Sequence, residues 1–179
     1  MAALLIIVAL VVLVGLYIFK TQRELVNVDE LANNALKQIA VQLSSRYDAV
    51  SSLVAMVEKY SKHEHDTLVE VIGERSKMGS AAEINDENNR ITQALGRIIA
   101  IGEQYPELKA DALYTEAMES INKYENLVRT NRMVYNDAVT KVNRMVRQWP
   151  SSFVASLLHF NQHEYLAEEE AKKDMPVIK

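Results

Sequence analysis

Residues Ala2 to Phe19 form a run of eighteen residues without a charged side chain, broken only by Gly15 and softened only by Tyr17. At helical rise such a run reaches roughly 27 Å, just enough to cross a hydrocarbon core of about 30 Å. A cleavable signal peptide carries a basic start and a small-residue cleavage site, and this segment has neither. Tyr17 and Phe19 stand where an interfacial aromatic belt belongs, with Lys20 and Arg23 directly after them. The run reads as a single membrane-spanning anchor over residues 1–20, with the lipid bilayer as its partner. Cationic residues flank only its C-terminal side, so the positive-inside rule predicts the N-terminus outside and the body in the cytoplasm.

The body, residues 21–166, repeats apolar residues at spacings of three and four: Leu25, Val28, Ala32, Ala35, Ile39, Leu43, Tyr47, Val50, Val54 and Val57. That stripe belongs to an amphipathic helix. No glycine or proline interrupts it before Gly73, which predicts one long helix over about 24–78. The polar stretch Gly79 to Asn89 follows as a break, with Asn85 or Asp86 as N-cap. A second helix is expected over about 86–104, stopped before Pro106 because the residue preceding a proline is pushed out of the helical region. A third covers about 110–148, through Leu113, Ile121, Tyr124, Val128, Asn131, Tyr135, Val142 and Trp149, and Pro150 ends it. A short fourth helix over about 152–163 presents Phe153, Leu157 and Phe160 as its apolar face. Residues 167–179 read as an acidic tail. No alternating strand pattern competes, so the predicted class is all-α: one transmembrane helix followed by an extended antiparallel helical bundle, because long helices hold only by burying their stripes on each other.

Candidate chemistry is sparse. The net charge of −4 argues against a nucleic-acid binder, and the absence of cysteine excludes thiol catalysis, disulfides and iron–sulfur clusters. His63-Glu64-His65-Asp66 is the densest group of potential ligands, but residues two apart on a helix diverge, so His63 and His65 cannot share a metal without help from another helix. His159 and His163 have the i, i+4 spacing, beside Glu164, yet two ligands fall short of a catalytic zinc site. No Glu-x-x-His pair of the di-iron type, no phosphate-binding glycine loop and no nucleophile elbow occurs. The expectation is therefore no enzyme, with no catalytic, cofactor-binding or metal-binding residues. Asn136 and Asn143 lie one heptad apart and flank the stripe of Tyr135 and Val142, while Asn131 falls on it. Polar groups at a seam either hydrogen-bond to neighbouring helices of one chain or set register between protomers.

Several segments carry a family resemblance when taken in order. They are Gln42-Leu43 with Arg46-Tyr47-Asp48 and Leu53-Val54; Tyr60, His63-Glu64 and Leu68; Tyr105-Pro106-Glu107-Leu108-Lys109-Ala110; Glu125-Asn126, Arg132 and Tyr135-Asn136-Asp137-Ala138-Val139; and Trp149-Pro150 with the later Phe160, Tyr165 and Leu166. Together they resemble the LemA family of membrane-anchored bacterial proteins over roughly residues 25 to 166, with Ser51-Ser52 standing where the family usually has proline-asparagine. The resemblance implies an N-out, C-in single-pass protein with a helical-bundle domain and no established enzymatic activity.

Two functions remain open at this point: a non-enzymatic scaffold or adaptor that self-associates at the membrane, or an accessory subunit of a membrane enzyme such as a protease. Arithmetic on helix lengths favours self-association. A first stripe of some fifty residues reaches about 75 Å, whereas a third helix from Leu113 to Trp149 covers about 55 Å. The membrane-proximal stripe from Leu25 to Ile39 is then left uncovered by its own chain, and the expected remedy is a homo-oligomer packed through that stalk, with Ala32 and Ala35 allowing close approach.

Overall fold

The computed structural model describes residues 1–167, so the acidic tail expected at 167–179 lies, but for its first residue, outside them. Helix α1 (Ala2–Val57) begins in the apolar run and continues without a break into the body. From Leu4 to Leu16 its large apolar side chains are all exposed, and none of the apolar window is covered by the chain. It is the one helix among the described residues long and apolar enough to cross a membrane. Below it the environment inverts. Leu25, Ala32, Ile39, Arg46 and Leu53 recur every seventh residue and all are buried, with Ala35, Leu43, Val50, Val54 and Val57 beside them.

The remaining elements are α2 (Lys62–Ile72), α3 (Ala81–Gln104), α4 (Pro106–Lys109), α5 (Ala112–Arg147) and α6 (Ser151–Leu157). Strands do not occur among the described residues. Two contacts fix the direction of α5 against α1: Arg46 binds Glu125, and Asp29 binds His163, which is itself held by Asn143. The two long helices are antiparallel, and α1 packs chiefly on α5. Helix α3 runs the same way as α1, since Asn88 meets Arg46 while the rings of Tyr105 and Tyr60, each just past its helix end, meet at a tilt of 53° with centroids 6.1 Å apart. Leu68 and Ile72 of α2, Ile84, Ile91 and Ile98 of α3 and Ile121 of α5 complete one apolar core with the α1 stripe.

The expected first helix of about 24–78 is corrected at both ends. It starts at Ala2, and it stops at Val57 because Ser61 caps a new helix: its hydroxyl accepts from the Glu64 amide at 3.3 Å. Ser-x-x-Glu is a helix-start signature in its own right, and neither glycine nor proline is needed to end the helix before it. The same signature corrects the next boundary. Helix α3 opens at Ala81, not near 86, with Ser80 accepting from the Glu83 amide and the Glu83 carboxylate accepting from the amides of Ser80 and Gly79. Ala81, Ile84, Asn88 and Ile91 then carry a stripe straight through the stretch expected to be a break.

Between α2 and α3 the chain turns at Gly73, whose φ of 58° and ψ of −167° suit only a residue without Cβ. Its carbonyl accepts from the Tyr47 hydroxyl at 2.7 Å. Arg75 lies over the Tyr47 ring and pairs with Asp48, so the turn is fastened to α1. At the far end Gly102 admits the Tyr114 ring, since a Cβ there would stand 3.0 Å from the Tyr114 hydroxyl.

The premise of the stalk argument fails on length. The stripe that needs cover ends at Val57, so it spans about 50 Å, and α5 with its 36 residues supplies about 54 Å. Leu25, Ala32, Ala35 and Ile39 are accordingly buried within one chain. A charge placed at Ile39 would disrupt this monomer core before it touched any assembly.

Candidate functional site

Two polar constellations connect the helices, one inside the bundle and one at its membrane-proximal side. The inner one is centred on Arg46, which occupies a seam position of α1 and is 1% exposed. Burying a guanidinium costs several kcal/mol unless partners replace the lost water. Its Nη1 donates to the Asn88 side-chain oxygen of α3 at 2.9 Å, and Nη2 to Glu125 of α5 at 3.2 Å. One side chain thereby ties three helices. On α3, the neighbouring buried Glu87 pairs with Arg90 and accepts from the Ser76 amide, drawing in the loop after α2. Arg132 is the second buried cation, on α5.

The membrane-proximal constellation involves no apolar seam. Helix α6 ends in a Schellman pattern: the Phe160 amide donates back to the Ala155 carbonyl and the His159 amide to that of Ser156. His159 takes the left-handed conformation this requires, with φ 60°. The chain then continues without helix as a strap over residues 160–167. Asn143 grips it by donating to the His163 carbonyl at 2.9 Å and accepting from the His163 amide at 2.8 Å. Asn136, one heptad earlier, does the same to Leu166, with both bonds at 3.0 Å. Between them the Tyr135 hydroxyl donates to the Glu164 carbonyl at 2.9 Å. Burial, with the Glu164 carboxylate adding to it, raises the Tyr135 pKa above its ordinary value, so the phenol remains a donor well into the alkaline range. The His163 imidazole closes the assembly on α1: Nε2 lies 2.7 Å from Asp29 Oδ1, and the other Asp29 oxygen accepts from Asn33.

Several expectations are answered here. The short fourth helix expected over 152–163 is Ser151–Leu157, so His159 and His163 do not share a helical face; one is exposed at the turn and the other faces Asp29. Val154 and Ala155 form the packed face, whereas Phe153 and Leu157, expected to be apolar contacts, point outward. His63 is exposed, and His65 leans on Asp66 at 3.2 Å. No group of three His, Asp or Glu side chains is arranged to hold a metal among the described residues. Asn136 and Asn143 resolve to bonds within one chain, though to an extended strap and not to a helix. Asn131 donates to the Leu127 carbonyl on its own helix.

Arg46 and Asp29 were missed as tie points. For Arg46 a signal existed, because Leu25, Ala32, Ile39 and Leu53 place position 46 on an unbroken heptad. For Asp29 there was none, since its partner is 134 residues away. Taken together, the arrangement can hold helices and an extended peptide in fixed register.

Comparison with known proteins places this architecture. The model of the LemA family matches residues 35–179. Magnetosome protein MamQ 2 of Paramagnetospirillum magneticum strain AMB-1 is 35% identical over 85 residues, which is 48% of this chain and 31% of that protein. Magnetosome protein MamQ 1 of the same strain gives the same figures. Magnetosome protein MamQ of Magnetospirillum gryphiswaldense strain MSR-1 is 33% identical over a match of the same extent. The matched segment thus spans about a third of the length of these curated relatives.

Proposed function

The chain belongs to the LemA family as a membrane-associated helical protein, and on that premise we propose that it is a non-enzymatic scaffold or adaptor that self-associates at the membrane, N-terminus outside and bundle in the cytoplasm. The observation that carries this reading is the continuity of α1: one helix is apolar and exposed in its first turns and core-forming in its last. A binding platform needs a body held at a set height and attitude, and an unbroken helix supplies both. The polar groups of the two constellations, Arg46, Asn136, Asn143 and His163, act as ties within the body. Lys20 and Arg23 on one flank support the orientation. Self-association draws its support from apolar side chains left on the outer surface, Leu31 and Val41 on α1 and Leu127 and Val134 on α5.

Two measurements test the reading. The chain lacks cysteine, so one introduced at Lys77 provides a single label site. Protection from a membrane-impermeant maleimide in intact cells is expected, and labelling there reverses the orientation. In lipid nanodiscs the expected mass is a multiple of the protomer, with Val41→Glu and Leu127→Glu reducing it. A monomer sinks self-association, and a stoichiometric enzyme co-purifying from solubilised membranes favours an accessory subunit instead.

A further inference from the structure

The side of α6 that does not pack is the most conspicuous apolar surface outside the span. Trp149 is 85% exposed, Phe153 66% and Leu157 59%. They follow each other at steps of four, so Phe153 and Leu157 share a face of α6 and Trp149 precedes them on the turn. Val154 and Ala155 are fully packed on the opposite side, where α6 touches both α1 and α5. The outward face is therefore presented by a fixed corner and not by a loose segment.

The antiparallel register sets the height of that corner. Arg46 opposite Glu125, and Asp29 beside the strap residue that Asn143 holds, place Arg147 level with Glu24 or Leu25. Thr21 and Leu25, the last buried positions of α1 before the span, lie at this level. Lys20 emerges from the apolar run one turn above. The corner thus stands beside the point where α1 leaves the bilayer, on whichever side that is. Arg144 and Arg147 end α5 there, and Lys20 and Arg23 face them in height across α1, with Glu24 as the nearby exposed carboxylate. Trp and Tyr collect at the headgroup level because their rings are amphipathic, and clustered Lys and Arg are drawn to anionic headgroups.

We propose that the α5–α6 corner is a second membrane contact, in which Trp149, Phe153 and Leu157 enter the interfacial layer of a bilayer containing anionic phospholipid while Lys20, Arg23, Arg144 and Arg147 meet its headgroups. The occupant is lipid and not protein because this surface stands level with the exit of the span, where Arg144 and Arg147 end α5 and Lys20 and Arg23 follow the apolar run at the same height. The contact goes beyond tethering: it fixes the attitude of the bundle to the membrane plane at two points.

Trp149 is the single tryptophan of the chain, so its fluorescence reports this contact directly. The full chain is reconstituted into vesicles of mixed phosphatidylcholine and phosphatidylglycerol, with or without bromine on the upper acyl carbons. Bromine should quench Trp149 by about twofold, and aqueous iodide should quench it several-fold less than in the detergent-unfolded chain. Replacing Phe153 and Leu157 together by serine should return iodide access while helicity is retained, since both side chains already point outward. Full iodide access in the unsubstituted chain overturns the proposal. So does shielding from iodide without bromine quenching, which means that protein covers the corner. Flotation with the vesicles is read in parallel, so loss of the corner contact is distinguished from loss of the anchor.

Discussion

The two halves of the bundle solve the same problem differently. In the distal half, α1 from Leu43 to Val57 is enclosed by α2, α3 and the first turns of α5, and the cover is made of Ile, Leu and Val side chains. In the membrane-proximal half, α1 from Thr21 to Ala35 has, among the described residues, the end of α5, the short α6 and the strap around it, and its buried residues include Thr21, Ala32 and Ala35. Apolar burial of about 1.5–3 kcal/mol per large side chain makes up most of the cover in the first case, with the Arg46 tie to α3 and α5 beside it. In the second the strap has few apolar side chains to bury beyond Leu166 and half-buried Phe160. It is held by side-chain amides bonded to its main chain. An extended segment carries unpaired backbone groups that a helix does not, and Asn, with one donor and one acceptor side by side, satisfies a residue's N–H and C=O together.

The largest test of this contrast is Arg46→Ala. Removing the tie between α1, α3 and α5 takes one hydrogen bond each from Glu125 and buried Asn88 and opens a void in the seam, and should cost about 3 kcal/mol, read as a shift in chemical unfolding. Hydrogen exchange should then rise through α3 while the amides of His163 and Leu166 keep their protection. Simultaneous loss at both places would show that the halves form one cooperative unit.

Asn143→Ala is the converse. It removes both bonds to His163 at a cost of about 2 kcal/mol, and the exposed strap amides should exchange faster while α3 is unchanged. Retained protection at His163 refutes the clamp. Ser80→Ala removes one side of the α3 capping box and should cost about 1 kcal/mol, confined to the distal half. Equal loosening of the strap would break the distinction again.

The smallest effect is expected from Tyr135→Phe, under about 1 kcal/mol at neutral pH. Its sign changes the alkaline limb of stability. The Tyr135 pKa is raised on folding, by burial first and Glu164 second, and that of Tyr114 by burial first and Glu103 second. Both favour the protonated phenol in the folded state. Their contribution is complete below the ordinary value of 10.0 and is lost as pH climbs from there through the folded pKa. The variant should show a shallower alkaline decline, and an unchanged slope excludes Tyr135 from it.

The same contrast explains what could be read from sequence. Helical period made α1, α3 and α5 legible, because burial of a stripe leaves a pattern within each element. The boundaries at Val57 and Ser80 depend on Ser-x-x-Glu caps, local signals that need neither glycine nor proline and so leave no break in composition. The strap left almost no trace: its partners Asn136 and Asn143 were visible as polar residues at a heptad, but which backbone they grip is decided by a chain reversal at His159. Arg46 was hidden for a different reason, since a cation is discounted wherever a buried seam is sought.

Continuity of α1 has a mechanical consequence. From Phe19 to Val57 the helix extends about 57 Å with no hinge, so it acts as a lever whose short arm is embedded in lipid. A tilt of about 20°, ordinary for a single span, displaces the far tip sideways by about 20 Å. The embedded arm, about 27 Å long, is no longer than the hydrocarbon core, so the bilayer thins around it and excess length gives it no cause to lean. With the α5–α6 corner as a second foothold the lever would be braced, and any lean left at the membrane would reach the distal tip amplified about twofold by the ratio of the two arms.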